Sequence, residues 1–282
     1  MAIRLTLHGS QLRGASLSLE ERASLAQKYG YQGLDFSFGD IQTAGGSDAV
    51  KDILVRHGLA ASTVGGVLGA QVTVSEEEWT TALAQVRDKA QQVAAAGGSR
   101  TGTVLACRAD EPKETLWPLV VKRIRQIDEA LDGTGVRLGM EFLGVRTLRL
   151  ERPHPFVQSM AEANRLLDEA GAKHVGLTLD SYHWYAAGDS LDTIRRTPAE
   201  RIVLLHVNDA KDLPRDQLMD QDRLLPGEGV IPLADWLRAI DSTGFDGFIA
   251  LEVLGPRLNG VSAEERARLG QETIAPLLAP LA

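Results

Sequence analysis

Short runs rich in apolar and β-branched residues alternate along the chain with longer stretches whose apolar positions recur at helical spacing. That alternation predicts βαβ units around a parallel sheet. Eight strand-like runs stand out: IRLTLH (3–8), GLDFS (33–37), LAASTV (59–64), RTGTVLAC (100–107), VRLGMEF (136–142), VGLTLD (175–180), IVLLHV (202–207) and GFIALEV (247–253). Between them Ser18, with Glu20 and Glu21, opens a first helix that Gly30 closes. Ser75 opens SEEEWTTALAQVRDKAQQVAAAGG, acidic in its first turn and ended by Gly97 and Gly98. TLWPLVVKRIRQIDEALDGTG, PFVQSMAEANRLLDEAGA, IPLADWLRAIDSTGFDG and SAEERARLGQETIAPLL supply later helices, and DTIRRTPAE is a shorter connection. Eight strands alternating with eight helical segments predict an α/β fold, a single (β/α)8 TIM barrel spanning residues 1–282 as one domain.

Composition removes several classes of function. The hydrophobic share of 44% and charged share of 24% are those of an ordinary globular chain. No segment approaches the roughly 20 unbroken apolar residues of a membrane span, so no membrane association is expected. MAIRLTLHGS lacks the apolar core of a secretory signal, and a cytoplasmic location is expected. Cys107 is the one cysteine, which excludes an intrachain disulfide; within TVLACRAD it reads as a small apolar side chain near a strand end. A net charge of −8, without a basic stripe, argues against nucleic acid as a partner. No G-x-G-x-x-G follows the first strand, and VGGVLGA lacks the lysine of a phosphate loop.

In a barrel of this kind the chemistry sits at the C-terminal ends of the strands. The last four strands end in polar residues: Glu141, Asp180, His206 and Glu252. A single acid at such a junction is more often a helix cap, and a single histidine there is as often a core residue. Four on successive strands place three carboxylates and one imidazole in one mouth, where bare acids repel and resist desolvation. One divalent cation resolves the conflict: the mixed oxygen and nitrogen set suits Mn²⁺ or Mg²⁺, with Co²⁺ and Zn²⁺ as alternatives.

The pieces GMEFLG, LTLDSYHWYAAGD, LLHVNDA, LLPGEGVIPL and IALEVLG together resemble the xylose-isomerase-like superfamily of sugar isomerases and epimerases, over nearly the whole chain. The resemblance implies that Glu141, Asp180, His206 and Glu252 are the metal ligands and that His183, in the D-x-x-H spacing, contacts substrate. In the ketose 3-epimerases, which this pattern is similar to, the two metal-binding glutamates also move the proton. Glu141 and Glu252 are accordingly the catalytic candidates, and a carboxylate beside a metal-stabilised enediolate is chemically suited to that role. Two places depart from the ketose epimerase pattern: an acid and an arginine expected six residues after the first ligand and the histidine ligand are Thr147 and Asp212 here, with Arg146 and Arg215 nearby.

Other residues divide between two readings. His8 ends the first strand and either binds substrate or is structural. Trp184 and Tyr185 form either an apolar wall against a sugar ring or part of the core. Glu228 in PGEGVI either reaches the site or sits in a turn, and NDAKDLPRDQLMDQDRLLPGEG has the length of a lid or binding loop.

The expected function is metal-dependent isomerisation or epimerisation of a sugar, inosose or keto-polyol. Dehydration or β-elimination from an oxidised sugar, inosose or C-glycoside is the nearest alternative, since it begins with the same proton abstraction. A non-catalytic barrel subunit and a metal-dependent endonuclease like endonuclease IV are the other classes; the latter calls for more histidine ligands and a basic face. The expected partner is a small carbohydrate or polyol, and the helical faces permit a homo-oligomer or a hetero-complex.

Overall fold

The computed structural model describes residues 3–150 and 152–281. All eight runs form strands: β1 Ile3–Leu7, β2 Gly33–Ser37, β3 Ala60–Gly65, β4 Arg100–Leu105, β5 Arg137–Phe142, β6 Val175–Asp180, β7 Ile202–Val207 and β8 Gly247–Leu251. They pair in parallel in the order β3-β2-β1-β8-β7-β6-β5-β4. β3 and β4 pack side by side without a hydrogen-bonded ladder, so the sheet curls into a nearly closed TIM barrel with its helices outside. Every residue of β6 and β7 is buried, as parallel strands covered on both faces must be. Among the described residues no helix is long and apolar enough to cross a membrane.

Local chemistry sets the helix starts. Ser18 accepts from the Glu21 backbone N–H while the Glu21 carboxylate accepts from the Ser18 N–H at 2.8 Å, a reciprocal cap that Ser75 and Glu78 repeat. The stretch after Ser75, expected as one helix, forms two, Glu76–Leu83 and Val86–Ala95. Thr80 and Thr81 donate their hydroxyls back to the Glu76 and Glu77 carbonyls at 2.8 and 3.0 Å, a contact that bends helices and weakens the next turn.

The segment after Asp180, for which the sequence pattern names no helix, is a helix over Ser181–Ala187. Asp180 starts it by accepting the N–H groups of Tyr182 and His183, and Gly188 ends it in the left-handed conformation. Gly144 makes room for this helix: a Cβ there would lie 1.9 Å from the His183 carbonyl oxygen.

Candidate active site

The barrel register brings the four strand-end residues together. Asp180 on β6 is paired with His206 on β7, and Glu141 on β5 with Thr178 on β6. Glu252 lies one residue past β8, where its N–H donates to the Val207 carbonyl at 3.1 Å and extends the ladder. One ligand atom from each of Glu141, Asp180, His206 and Glu252 falls within 4.8 Å of the others. Glu141 Oε1 is 3.0 Å and Glu252 Oε2 3.4 Å from the same atom, His206 Nδ1.

Asp180 divides its two oxygens between two tasks. Oδ1 caps the following helix, whereas Oδ2 accepts from Asn208 Nδ2 at 3.1 Å and from Arg223 Nη1 at 2.8 Å. The cap that explains a lone acid at a strand end is therefore present, and it leaves the second oxygen facing the mouth.

Arg223 fills the space between the acids. Its Nη1 also donates to Glu252 Oε2 at 2.7 Å, and its Nη2 donates to Asp220 Oδ1 at 2.6 Å and His183 Nε2 at 3.1 Å. The guanidinium is buried, so these acids are what make its charge tolerable. Burial pushes the Asp180 carboxyl up, against the opposing pull of Arg223. Burial also opposes charge on Glu252 and His206, but there the ion pairing wins: His206 and Arg223 hold Glu252 well below the usual carboxylate range, and Glu252 and Glu141 hold the His206 imidazolium well above its ordinary value.

Three carboxylates and one imidazole with ligand atoms within 4.8 Å of one another form a set that fits a divalent cation of the harder kind. The acids already draw a proton to His206 and a guanidinium to Asp180 and Glu252, the response expected of concentrated negative charge.

A cavity of about 580 Å³ opens beside this set, and Glu141, His206, His8, Asp35, Thr63 and Arg22 are among the residues that line it. Its size suits a small ligand. His8 lies in its wall, the ring 4.9 Å from that of His206 and Nε2 3.4 Å from Asp35 Oδ2. His183 is buried behind Arg223. Trp184 is buried and its Nε1 donates to the Ser190 carbonyl. Arg215 stacks on Tyr185, 4.7 Å from the ring centre. Glu228 pairs with Arg257 and accepts the Leu225 N–H at 3.1 Å, which braces the PGEG turn.

Sequence reasoning did not single out Arg223, Asn208 or Asp35. The structure puts Arg223 in the site, while Arg146 pairs with Asp216 on the surface. The signal for Arg223 is the D-x-x-R spacing just before LLPGEG, where Asp220 holds it by an i,i+3 pair. Asp35 lies in the middle of β2, so a search of strand ends passes over it; its signal is an acid inside an otherwise apolar strand run.

The chain matches a family model described as the xylose isomerase-like TIM barrel over residues 23–277. A xylose isomerase domain protein from Alicyclobacillus acidocaldarius is 33% identical, with a TM-score of 0.89 over 99% of both chains. An IolI protein crystallised with a zinc atom is 20% identical, with a TM-score of 0.82 over 99% of both chains, a likeness of fold. The inosose isomerase of Bacillus licheniformis is 29% identical over 161 residues, 57% of this chain and 55% of that protein. The chain thus spans about half the length of the curated relatives it matches.

Proposed function

Because the chain belongs to the xylose isomerase-like TIM barrel family, we propose that it isomerises or epimerises a sugar, inosose or related keto-polyol by moving a proton at the carbon next to a carbonyl. Glu141, Asp180, His206 and Glu252 hold one divalent cation in this reading, with Mn²⁺ the first candidate and Mg²⁺, Co²⁺ and Zn²⁺ the alternatives. The observation that carries it is the convergence of Glu141 and Glu252, from strands on opposite sides of β7, on His206 Nδ1 beside a ligand-sized cavity. The similarity to inosose isomerases supports the choice of reaction class.

A divalent cation in this set supplies the positive charge that favours loss of a proton next to a carbonyl. The chain's own residues do the rest. Glu141 and Glu252 are the two carboxylates placed to take a proton and return it, as epimerisation requires of groups on two sides of one carbon. Asn208 ties Asp180 to the Glu252 backbone by donating to both Asp180 Oδ2 and the Glu252 carbonyl. His206 and Arg223 keep Glu252 in its charged form, the form that can accept a proton. A small uncharged carbohydrate is the matching partner, since the net charge of −8 disfavours polyanions.

The test is solvent exchange. Protein supplied with Mn²⁺ in deuterium oxide should introduce deuterium next to the carbonyl of at least one member of a panel of ketoses and inososes. Exchange accompanied by loss of water would assign the dehydratase reaction instead. No exchange with any member would remove the proton-transfer reading.

A further inference from the structure

The cavity is lined by a buried acid whose second oxygen meets only a histidine. Asp35 is 6% exposed. Its Oδ1 accepts the hydroxyls of Thr6, at 3.0 Å, and Ser62, while Oδ2 has one polar neighbour, His8 Nε2 at 3.4 Å. No lysine or arginine pairs with it among the described residues, and a buried carboxylate in that position gains from any further donor.

Two threonines that line the same cavity have hydroxyls without a partner. The Oγ1 atoms of Thr63 and Thr178 are buried and make no hydrogen bond, as does His206 Nε2. Space is kept for Thr178 by Gly139, where a Cβ would lie 2.5 Å from Thr178 Oγ1. Thr178 is also the β6 partner of Glu141, which places it next to that carboxylate. The lining carries one arginine and no lysine, and that arginine, Arg22, is already paired with Asp40.

We propose that Asp35, with His8, Thr63 and Thr178, forms a hydroxyl-reading subsite that selects an uncharged polyhydroxylated substrate and rejects its phosphate ester. The proposal rests on the cavity being the substrate site of the reading above. A ligand hydroxyl can donate to Asp35 Oδ2, and others can satisfy the threonine oxygens in either sense, because a hydroxyl is both donor and acceptor. A phosphate in the same place would meet Asp35 and Asp40, and the lining offers it no lysine and no unpaired arginine.

The experiment is calorimetric titration of the Mn²⁺-supplied protein with myo-inositol and D-fructose, each against its monophosphate. At least one neutral ligand should bind, and its phosphate should bind at least about tenfold more weakly. Asp35→Asn keeps an acceptor for Thr6 and Ser62. It should weaken neutral binding by roughly tenfold to a hundredfold, the loss of one charge-assisted hydrogen bond, and narrow the gap to the phosphate. Thr63→Val, nearly isosteric, should weaken it severalfold and carries the test if Asp35→Asn does not fold.

Neutral binding within twofold of wild type in the folded variants, equal binding of the phosphates, or no neutral binding at all would each overturn the subsite. Selective polyol binding without deuterium exchange would sink the isomerase reading and leave the subsite standing. Exchange with unchanged binding in Asp35→Asn would do the reverse.

Discussion

His206 Nδ1 lies 3.0 Å from Glu141 Oε1, although the two residues are 65 positions apart in the chain. Glu252 approaches the same nitrogen from the other side of β7 at 3.4 Å. One point in the mouth is therefore shared by groups from three strand ends, and only a positive species stabilises it: a proton, a guanidinium or a metal ion.

If Glu141 and Glu252 move the proton, Glu141→Gln and Glu252→Gln should each lower the rate of deuterium exchange by at least about a hundredfold. The amide keeps the shape of the side chain but is a far poorer base. Exchange followed by nuclear magnetic resonance measures the effect, and wild-type rates in either variant would take that residue out of the proton path.

Arg223→Leu leaves Asp180, Glu252 and Asp220 without their shared cation. Loss of one partner from a buried ion pair typically costs about 3–5 kcal/mol, so the variant should melt well below wild type in chelator. Saturating Mn²⁺ should recover more stability in Arg223→Leu than in wild type, because a bound cation neutralises acids that the arginine no longer serves. Thermal denaturation with and without Mn²⁺ reads the difference.

The barrel and the four converging residues were legible in the sequence because both follow from local pattern: strand runs have a period, and a polar residue closing an apolar run marks the mouth. Asp180, His206 and Glu141 are found this way with no knowledge of contacts. Arg223 is not, because it reaches the site from a loop whose path depends on tertiary contacts, among them the Tyr182 hydroxyl donating to the Met219 carbonyl at 2.7 Å. The helix over Ser181–Ala187 was hidden for a related reason: one side chain, Asp180, serves both as its cap and as a member of the site. The two-residue ribbon pairing Arg108–Ala109 with His154–Pro155 is too short to leave any periodicity.

Asp209 fastens the loop that carries Arg223. Its two oxygens accept the backbone N–H groups of Ala210, Gly227, Gly229 and Ile231 at 2.9–3.0 Å, all from a fully buried position. Asp209→Ala strands these donors and should cost about 3 kcal/mol, lowering the melting temperature by roughly 5–10 °C. A variant that melts with wild type would show that the loop is held by other contacts.

Gly144→Ala probes the seat of the helix after Asp180. A methyl group 1.9 Å from the His183 carbonyl oxygen forces backbone to move, and overpacking of this kind costs about 1–3 kcal/mol or more. The variant should lose stability and also metal affinity, since the displaced helix is the one that Asp180 caps. Melting curves and Mn²⁺ titration should shift together, whereas a change in stability alone would uncouple the helix from the site.

The most direct measurement is the metal content of the purified protein after reloading with Mn²⁺ and removal of excess ion, compared with Asp180→Ala and Glu252→Ala treated identically. The account expects about one ion per chain in wild type and loss of that ion in both variants. A wild-type chain that retains no Mn²⁺, Mg²⁺, Co²⁺ or Zn²⁺ after reloading with each would contradict the metal centre, and with it the proposed chemistry.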